Sequence, residues 1–250
     1  MARQADNGLI FAGKTYIKNL MIPGAGFVDV GNVTSLALKS ESEAKERISR
    51  QRGSYGSALD SITTPKPTTF SMKCDTFDRH NLAMALMGQD ADFNQAEETL
   101  TDQIVEIGQQ GQWYSLGKTN IDPSTVAIKT STDTVVDKTA YQVHAGLGMI
   151  QIVDGSTTVQ AGDSIKASFK TKVVKGFQIH AGVLDNLKLE IMVEGENRTT
   201  GKTGTLHIPS VSVGADSEID WFGDDFAESS LAGTVVKSGT NAPYTFTEVE

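Results

Sequence analysis

The sequence predicts a mainly β fold that carries one flanking α-helix. Segments rich in Thr, Val, Ser and Gly recur along most of the 250 residues, and this is the composition of strands joined by turns. The stretch 76–87 has the composition of a helix that can pack against such strands. The hydrophobic content of 38% lies below the globular average. A β chain with a modest core often covers its exposed strand edges by association, so we expect contacts with other molecules.

Seven segments have the composition of strands. The alternation of apolar and polar residues is cleanest in 164–173 and 187–194, as in antiparallel strands with one buried face. Pro209 interrupts the pattern of the last segment and predicts an edge or a bend there. The Ser/Thr-rich region 119–139 is left open as an insertion loop or a hairpin, and the strand count in 90–161 also stays open. The seven segments are 33–38, 68–74, 103–107, 149–153, 164–173, 187–194 and 205–213.

The predicted helix, 76–87, follows a strand directly. Asp75 and Thr76 are good N-cap residues, and Asp78 places negative charge near the helix start, where the helix dipole favours it. Gly88 is expected to supply the left-handed residue that ends the helix. We therefore expect one amphipathic helix packed against a large β structure.

The single cysteine, Cys74, is expected to be a buried and unreactive thiol. It shares its predicted strand face with Phe70 and Met72. One cysteine excludes an intramolecular disulfide and any zinc site built on paired cysteines. The histidines lie too far apart in the sequence to form a close metal-ligand pair, and they are His80, His144, His180 and His207.

No catalytic, cofactor-binding or metal-binding motif is found in the sequence, and we expect that the protein is not an enzyme. The segment 195–203 resembles a phosphate loop, but five residues rather than four separate its glycines and a predicted strand follows it. A hairpin turn is the better interpretation. Asp216, Glu218 and Asp220 imitate the start of a calcium loop, but Trp221 stands where that loop needs glycine.

Two segments of opposite charge are candidates for contacts. The segment 39–52 has five basic and three acidic residues, and 216–228 has six acidic residues and no basic one. Acid–base pairs at i,i+4 spacing in the first segment favour a helix, but it has too few apolar residues to pack. We predict a long charged loop at 39–56, which is either solvated or ordered by contact. The candidate contact residues between subunits or rings are Lys45, Arg47, Arg50, Arg52, Asp220, Asp224 and Asp225.

The charge and the termini limit the location and the partners. A net charge of −9 opposes tight binding of nucleic acid, which depends on clustered Lys and Arg. The first 21 residues lack the apolar run of a signal peptide, and no segment is apolar enough to span a membrane. We therefore expect folding in a cytoplasm, without a membrane anchor.

The order of these pieces resembles the major tail tube proteins of long-tailed (siphophage-like) bacteriophages. The resemblance rests on the strand at 33–40 that leads into the charged segment, on 53–60, and on the strand–helix block 68–88 that ends in NLAMALMG. The matching segments near the end of the chain are VEGEN at 193–197, TGK at 200–202, LHIP at 206–209, VSV at 211–213 and DDF at 224–226. Together these segments span roughly half of the chain.

The resemblance implies a β-sandwich or barrel-like tail-tube fold, with a single domain over 1–250. Such subunits form homohexameric rings, in which strands of each subunit complete an inner barrel, and the rings stack into a tube. The implied protein is a structural component of the virion tail, made and assembled in the host bacterial cytoplasm. Its implied partners are other copies of itself, a tape-measure protein and tail-end proteins, with no cofactor. DNA would pass through the lumen during genome ejection without specific binding, since an acidic wall repels phosphate.

Two other functions stay open. One is a tube protein like those of type VI secretion, which has a similar fold, although its subunits are usually shorter than this chain. The other is a β-sandwich module of a tail that binds a carbohydrate or a receptor. Such a module needs exposed aromatic residues, whereas Phe70, Phe77 and Phe169 lie on predicted core faces.

Overall fold

The computed structural model describes residues 8–216, 219–237, 239 and 242–249. It confirms a mainly β chain with one α-helix in the described residues, arranged in antiparallel sheets of a sandwich or barrel-like kind. The chain divides into two compact units. Unit 1 takes in the chain up to Asp90 and from Ile179 onward, and unit 2 is Ala91–Gln178. Two compact units can make up one domain or two, so the single domain over 1–250 stays a prediction.

Strands make up most of the regular structure, and the helix α1 follows the sixth of them. In chain order the elements are Phe11–Asn19 (β1), Val28–Asp29 (β2), Val33–Lys39 (β3), Ser42–Ile48 (β4), Ala58–Pro65 (β5), Thr69–Cys74 (β6), Arg79–Ala85 (α1), Gln89–Gln95 (β7), Thr99–Glu106 (β8), Trp113–Ser115 (β9), Ile121–Thr130 (β10), Tyr141–His144 (β11), Met149–Ile152 (β12), Ser164–Thr171 (β13), Val174–His180 (β14), Leu187–Asn197 (β15), Thr203–Ala215 (β16), Ser229–Val235 (β17) and Thr245–Val249 (β18). All seven segments that the sequence predicts as strands are strands in the structure.

Unit 1 is built on one large antiparallel sheet in the order β2–β1–β15–β16–β17–β6–β3. Strand β16 pairs with β18 along Thr203–His207 and with β17 from Val211 onward. Pro209 lies between these two partners, opposite a shift in the register with β15. The sequence prediction of a bend or an edge at Pro209 is confirmed, because a proline there has no ladder hydrogen bond to donate.

The sheet of unit 1 curls toward closure. Strands β1 and β3 lie near opposite ends of the strand order, yet residues of both line one cavity of about 330 Å³ together with Val193, Leu206 and Phe246. The core of the unit contains side chains from the buried faces of these strands and from the helix. It contains Phe70, Met72, Met84, Met87, Leu187, Leu189 and Ile191, among others.

Cys74 is buried at the end of β6, as the alternation predicts. Burial raises the pKa of its thiol, so that the thiol stays protonated at neutral pH. Its Sγ donates to the Val30 carbonyl at 3.2 Å. An unreactive thiol that is part of the core follows from this environment.

The helix is shorter than the predicted range of 76–87. Its N-cap is Asp78, whose side chain accepts from the Asn81 amide at 2.7 Å, rather than Asp75 or Thr76. The left-handed residue at its end is Met87, with φ of 46°, and not Gly88. The amides of Met87 and Gly88 close the helix on the carbonyls of Met84 and Ala83, as in a Schellman motif.

Gly88 is needed at this end for a different reason than the predicted one. A side chain there would meet the His180 carbonyl oxygen at 2.7 Å. The glycine therefore permits a close backbone approach, while the strained left-handed position is occupied by a methionine whose side chain packs in the core.

Unit 2 contains two three-stranded antiparallel sheets, β10–β13–β8 and β11–β12–β9, and most of the two-stranded sheet β14–β7. The region 119–139, left open in the sequence, contributes strand β10 and thus belongs to this unit. Unit 2 has a core of its own, which includes Ile107, Ile121, Ile128, Ile150, Ile152, Ile165 and Phe169. The region 90–161 is thus folded into strands.

The segment 195–203 contains the turn between β15 and β16, which lies at 198–202 and has Gly201 at φ of 72°. The sequence prediction of a hairpin turn is confirmed. No helix in the described residues is long and apolar enough to cross a membrane.

Candidate interaction surfaces

The basic segment forms a long β-hairpin and not a loop. Strands β4 and β5 pair from Ser42↔Pro65 to Ile48↔Ala58, and no third strand joins them in the described part of the chain. The side chains of both strands are exposed on both faces of this two-stranded sheet. The predicted charged loop at 39–56 was therefore wrong in its secondary structure, although its exposure is confirmed.

The charges of the hairpin pair across the strands. The Arg47 guanidinium donates to Asp60 Oδ2 from Nε at 2.9 Å and from a terminal nitrogen at 2.7 Å. The Lys66 ammonium lies 3.6 Å from Glu43 Oε2. In a strand, residues i and i+4 are roughly 13 Å apart, so the i,i+4 pairs that favour a helix in the sequence cannot form here.

Near the base of the hairpin, Lys39 and Glu41 form an ion pair with an N–O distance of 2.5 Å. This hydrogen bond raises the pKa of Lys39 and lowers the pKa of Glu41. Both side chains are solvent-exposed, so the pair adds little to stability.

The tip of the hairpin is held together by its own hydrogen bonds around Ser49, which is buried. The Ser49 amide donates to the Ser57 carbonyl at 2.8 Å, and the Gly56 amide donates to the Ser49 carbonyl at 2.9 Å. The hydroxyls of Ser49 and Ser54 lie 2.7 Å apart. The tip therefore presents its remaining side chains from an ordered turn.

Three of the candidate basic residues are exposed on this hairpin and form no ion pair with any described residue: Lys45, Arg50 and Arg52. Tyr55, in the same turn of the chain, is exposed as well. The fourth candidate, Arg47, is committed to Asp60. The hairpin thus offers three free cations and a phenol ring.

The acidic segment is an irregular loop between β16 and β17. Asp220, Asp224 and Asp225 are exposed and form no ion pair with the described residues, whereas Glu228 lies 3.5 Å from Lys73. These carboxylates and Lys73 line one open hollow. Ser217 and Glu218 lie outside the described residues.

Three aromatic residues of the same loop are exposed to solvent. The exposed fraction is 97% for Phe222, 96% for Phe226 and 65% for Trp221. Large aromatic residues that are exposed side by side are common on surfaces that contact other molecules. We call the described part of 216–228 the acidic–aromatic loop.

Within one chain, no ion pair joins the hairpin to the acidic–aromatic loop among the described residues. The two segments also leave the large sheet at opposite ends of β6, because the hairpin precedes Thr69 and the loop leads into Ser229, which pairs with Cys74. The structure therefore places the candidate residues on two separate parts of unit 1. Sequence reasoning found both charged segments but missed the aromatic residues, because an irregular loop has no periodicity that reports exposure. Phe77 is also partly exposed, contrary to its predicted core position, while Phe70 and Phe169 are buried as predicted.

The described residues contain no group of three or more His, Cys, Asp or Glu that could hold a metal ion. The calcium-like run includes Glu218, which lies outside these residues. The only side-chain polar atom found buried without a partner, among those described, is Asn81 Oδ1 beside the helix N-cap.

A search of the curated proteins finds no match to this sequence. A family model, in contrast, matches residues 9–245, which is most of the chain. The match runs through both compact units and includes the hairpin and the acidic–aromatic loop. The chain belongs to the family described as protein of unknown function UCP028589.

Proposed function

We propose that this protein is a structural subunit that assembles with copies of itself. The observation that carries the proposal is the β4–β5 hairpin, which is exposed on both of its faces. A two-stranded hairpin alone is marginally stable in water, and three strands or a packed face are needed for independent stability. A partner that covers one face of the hairpin would supply this packing.

The apolar side chains of the hairpin support the same conclusion. Ile62 is 68% exposed, and Ile48 and Leu59 are exposed as well. Burying such side chains stabilises an association by roughly 1.5–3 kcal/mol each when burial is complete. The hairpin therefore has apolar area as well as charge to offer to a partner.

The acidic–aromatic loop of a second copy has the complementary chemistry. Its carboxylates match the free cations of the hairpin, and its aromatic rings can receive both apolar side chains and the arginine planes. A contact between two different surfaces of identical chains is heterologous, and it generates closed rings or open stacks. Either outcome produces an assembly larger than a dimer.

The finer form of the proposal is a tail tube of stacked hexameric rings that serves as a passive conduit for DNA, with the tape-measure and tail-end proteins as partners. The mainly β fold and the acidic net charge of −9 support it. A virion tail would be its location. A tube of the type VI secretion kind has the same requirements and is the second structural candidate.

The test is size-exclusion chromatography with light scattering across a concentration series, followed by electron microscopy. We expect the mass to rise above that of the 26.8 kDa monomer, and stacked rings with a central hole to appear in the images. A protein that stays monomeric at every concentration, and that is monomeric when isolated from its native source, would overturn the proposal. Assemblies without a central hole would support self-association but would contradict the proposal of a tube.

A further inference from the structure

The sheet β9–β12–β11 of unit 2 has an outer face whose side chains differ in chemistry from those of the hairpin and the acidic–aromatic loop. In the sheet β9–β12–β11, Ile150 and its neighbours Tyr114 and Val143 point into the core of the unit. Because side chains alternate along a strand, the rows on either side of Ile150 point outward. The outer rows are Trp113, Gln151 and Gln142, followed by Ser115, Met149 and His144.

The three strands of this sheet contain no Asp, Glu, Lys or Arg. In contrast, the other sheet of unit 2 carries Lys166 and Lys170, and Lys166 pairs with Asp133 at 2.8 Å. The chain as a whole carries a net charge of −9. The outer face of this sheet therefore differs from the rest of the chain, because its strands present amides and rings and no charged side chain.

Trp113 is the largest side chain on this face, and it is 40% exposed. Its ring lies edge to face with that of His144, at 6.1 Å between centroids and an interplanar angle of 85°. The two residues are on the outer strands of the sheet, so their rings reach toward each other across β12. This contact holds the indole in one orientation and leaves part of it open to solvent.

The histidine offers a directed hydrogen-bond donor. The Leu147 amide donates to His144 Nδ1 at 3.2 Å, so the proton of the neutral imidazole is on Nε2. Gln151 donates from Nε2 to the Gly111 carbonyl, which fixes its amide plane and leaves its Oε1 as an acceptor. Gln142 is exposed on the same row.

We propose that this face binds a neutral saccharide. A sugar ring has one apolar face of C–H groups, which can stack on the Trp113 indole, and a rim of hydroxyls that both donate and accept. The Nε2–H of His144 and the amides of Gln142 and Gln151 supply the matching partners at the edge of the indole. A nucleic acid or an acidic glycan would need cations, and these three strands have none.

The site shares no residue with the hairpin or the acidic–aromatic loop, on which the proposed self-assembly rests, so the two proposals can fail separately. The probes are cellohexaose, maltohexaose and chitohexaose, titrated into the full chain by isothermal calorimetry. We expect saturable binding of at least one, unchanged between low and high salt because no charge pairs form. Trp113→Ala should weaken this binding by about tenfold or more.

Two variants serve as controls. Trp221→Phe removes the other tryptophan, and Ile104→Ala removes an exposed apolar side chain from the other sheet of unit 2. Both should bind as the wild type does. Failure of all three hexasaccharides to bind, equal binding by Trp113→Ala, or binding only to an acidic polymer such as polygalacturonate would each overturn the proposal.

Discussion

The rings of Phe11 and Phe246 meet edge to face, 6.1 Å apart at an angle of 74°, above two paired glycines of neighbouring strands. Gly195 of β15 pairs with Gly204 of β16, and Phe11 fills the space that side chains at both positions would take. Phe246 closes over Gly204 from β18. An aromatic ring that covers glycine restores the packing that a strand loses at this residue.

The glycine pair predicts a difference between two alanine variants. A methyl group at Gly195 would lie 2.5 Å from the Ala12 carbonyl oxygen, so backbone must shift, whereas at Gly204 the nearest atoms belong to the two rings. We expect Gly195→Ala to lower the free energy of unfolding by about 1–3 kcal/mol, and Gly204→Ala by less. Urea unfolding measures both, with Gly214→Ala as the control, since nothing lies within 4 Å of the added methyl there. Equal stability of Gly195→Ala and wild type would contradict the close approach.

A second prediction concerns pH and Glu190. Burial raises the pKa of this carboxyl, but the hydrogen bonds from His207 at 2.9 Å and Lys18 at 3.2 Å outweigh it, so the pKa is lowered overall. A lowered pKa in the folded state contributes stability above the unfolded pKa of about 4.3, and this contribution is lost as the pH falls through the folded value.

We therefore expect Glu190→Gln to be less stable than wild type at neutral pH and to converge with it in acid. The measurement is the melting temperature from pH 7 down to about pH 3, which spans the range where carboxyls titrate. Glu194→Gln is the matched control, because Glu194 lies on the same strand but is exposed. A constant difference between Glu190→Gln and wild type over the whole range would show that the pair contributes no pH-dependent stability.

Local patterns predicted the strands whose two faces meet different environments. The alternation of Phe70, Met72 and Cys74 and that of Leu187, Leu189 and Ile191 describe buried faces that the structure has. The hairpin was missed because its strands face solvent on both sides and so have no alternation to read.

Contacts between distant residues also could not be predicted from the sequence. Arg47 is four residues from Glu43 in sequence, which favours a helix, but its partner Asp60 lies across a hairpin whose register depends on the tip. The aromatic residues of the acidic–aromatic loop were missed for a related reason. Whether Phe222 is covered depends on which strands pass nearby, and no local period carries this information.

The acidic charge predicts that assembled protein does not hold duplex DNA tightly. Binding by phosphate neutralisation gives an affinity that falls steeply with salt, and a chain with net charge −9 lacks the required excess of cations. Fluorescence anisotropy of labelled duplex DNA at low and high salt measures this directly. Tight binding that weakens steeply with added salt would contradict a passive conduit.

The acidic–aromatic loop predicts a loss of assembly without a loss of fold. Phe222→Ser/Phe226→Ser removes two nearly fully exposed rings, so the melting temperature of the monomer should change little. Self-association, measured by light scattering, should weaken because the rings no longer cover apolar side chains of a second copy. The control is Ile104→Ser, an equally polar change at an exposed residue of unit 2. If the double variant assembles as the wild type does, the acidic–aromatic loop does not take part in the contact between copies.

The free arginines of the hairpin tip predict which charges make the contact. Arg50→Glu/Arg52→Glu should block or strongly weaken assembly, because the hairpin would then present acid to the acid of the loop. Arg47 is left unchanged in this variant, because it already pairs with Asp60 and is therefore not one of the free cations of the hairpin. Lys170→Glu/Lys172→Glu makes the same change in net charge on unit 2 and should leave assembly intact.

Reversing the partner charges decides whether these two surfaces meet. If the hairpin tip docks on the acidic–aromatic loop, Asp224→Lys/Asp225→Lys should restore part of the assembly that is lost in Arg50→Glu/Arg52→Glu. Added salt should also weaken the assembly of the wild type, because it screens the charges. Light scattering and electron microscopy of the four combinations of variants give the coupling directly. Normal tubes from the arginine variant would mean that the hairpin tip is only solvated. If the arginine variant loses assembly and the aspartate variant does not restore it, the hairpin tip is a contact but binds a surface other than the acidic–aromatic loop.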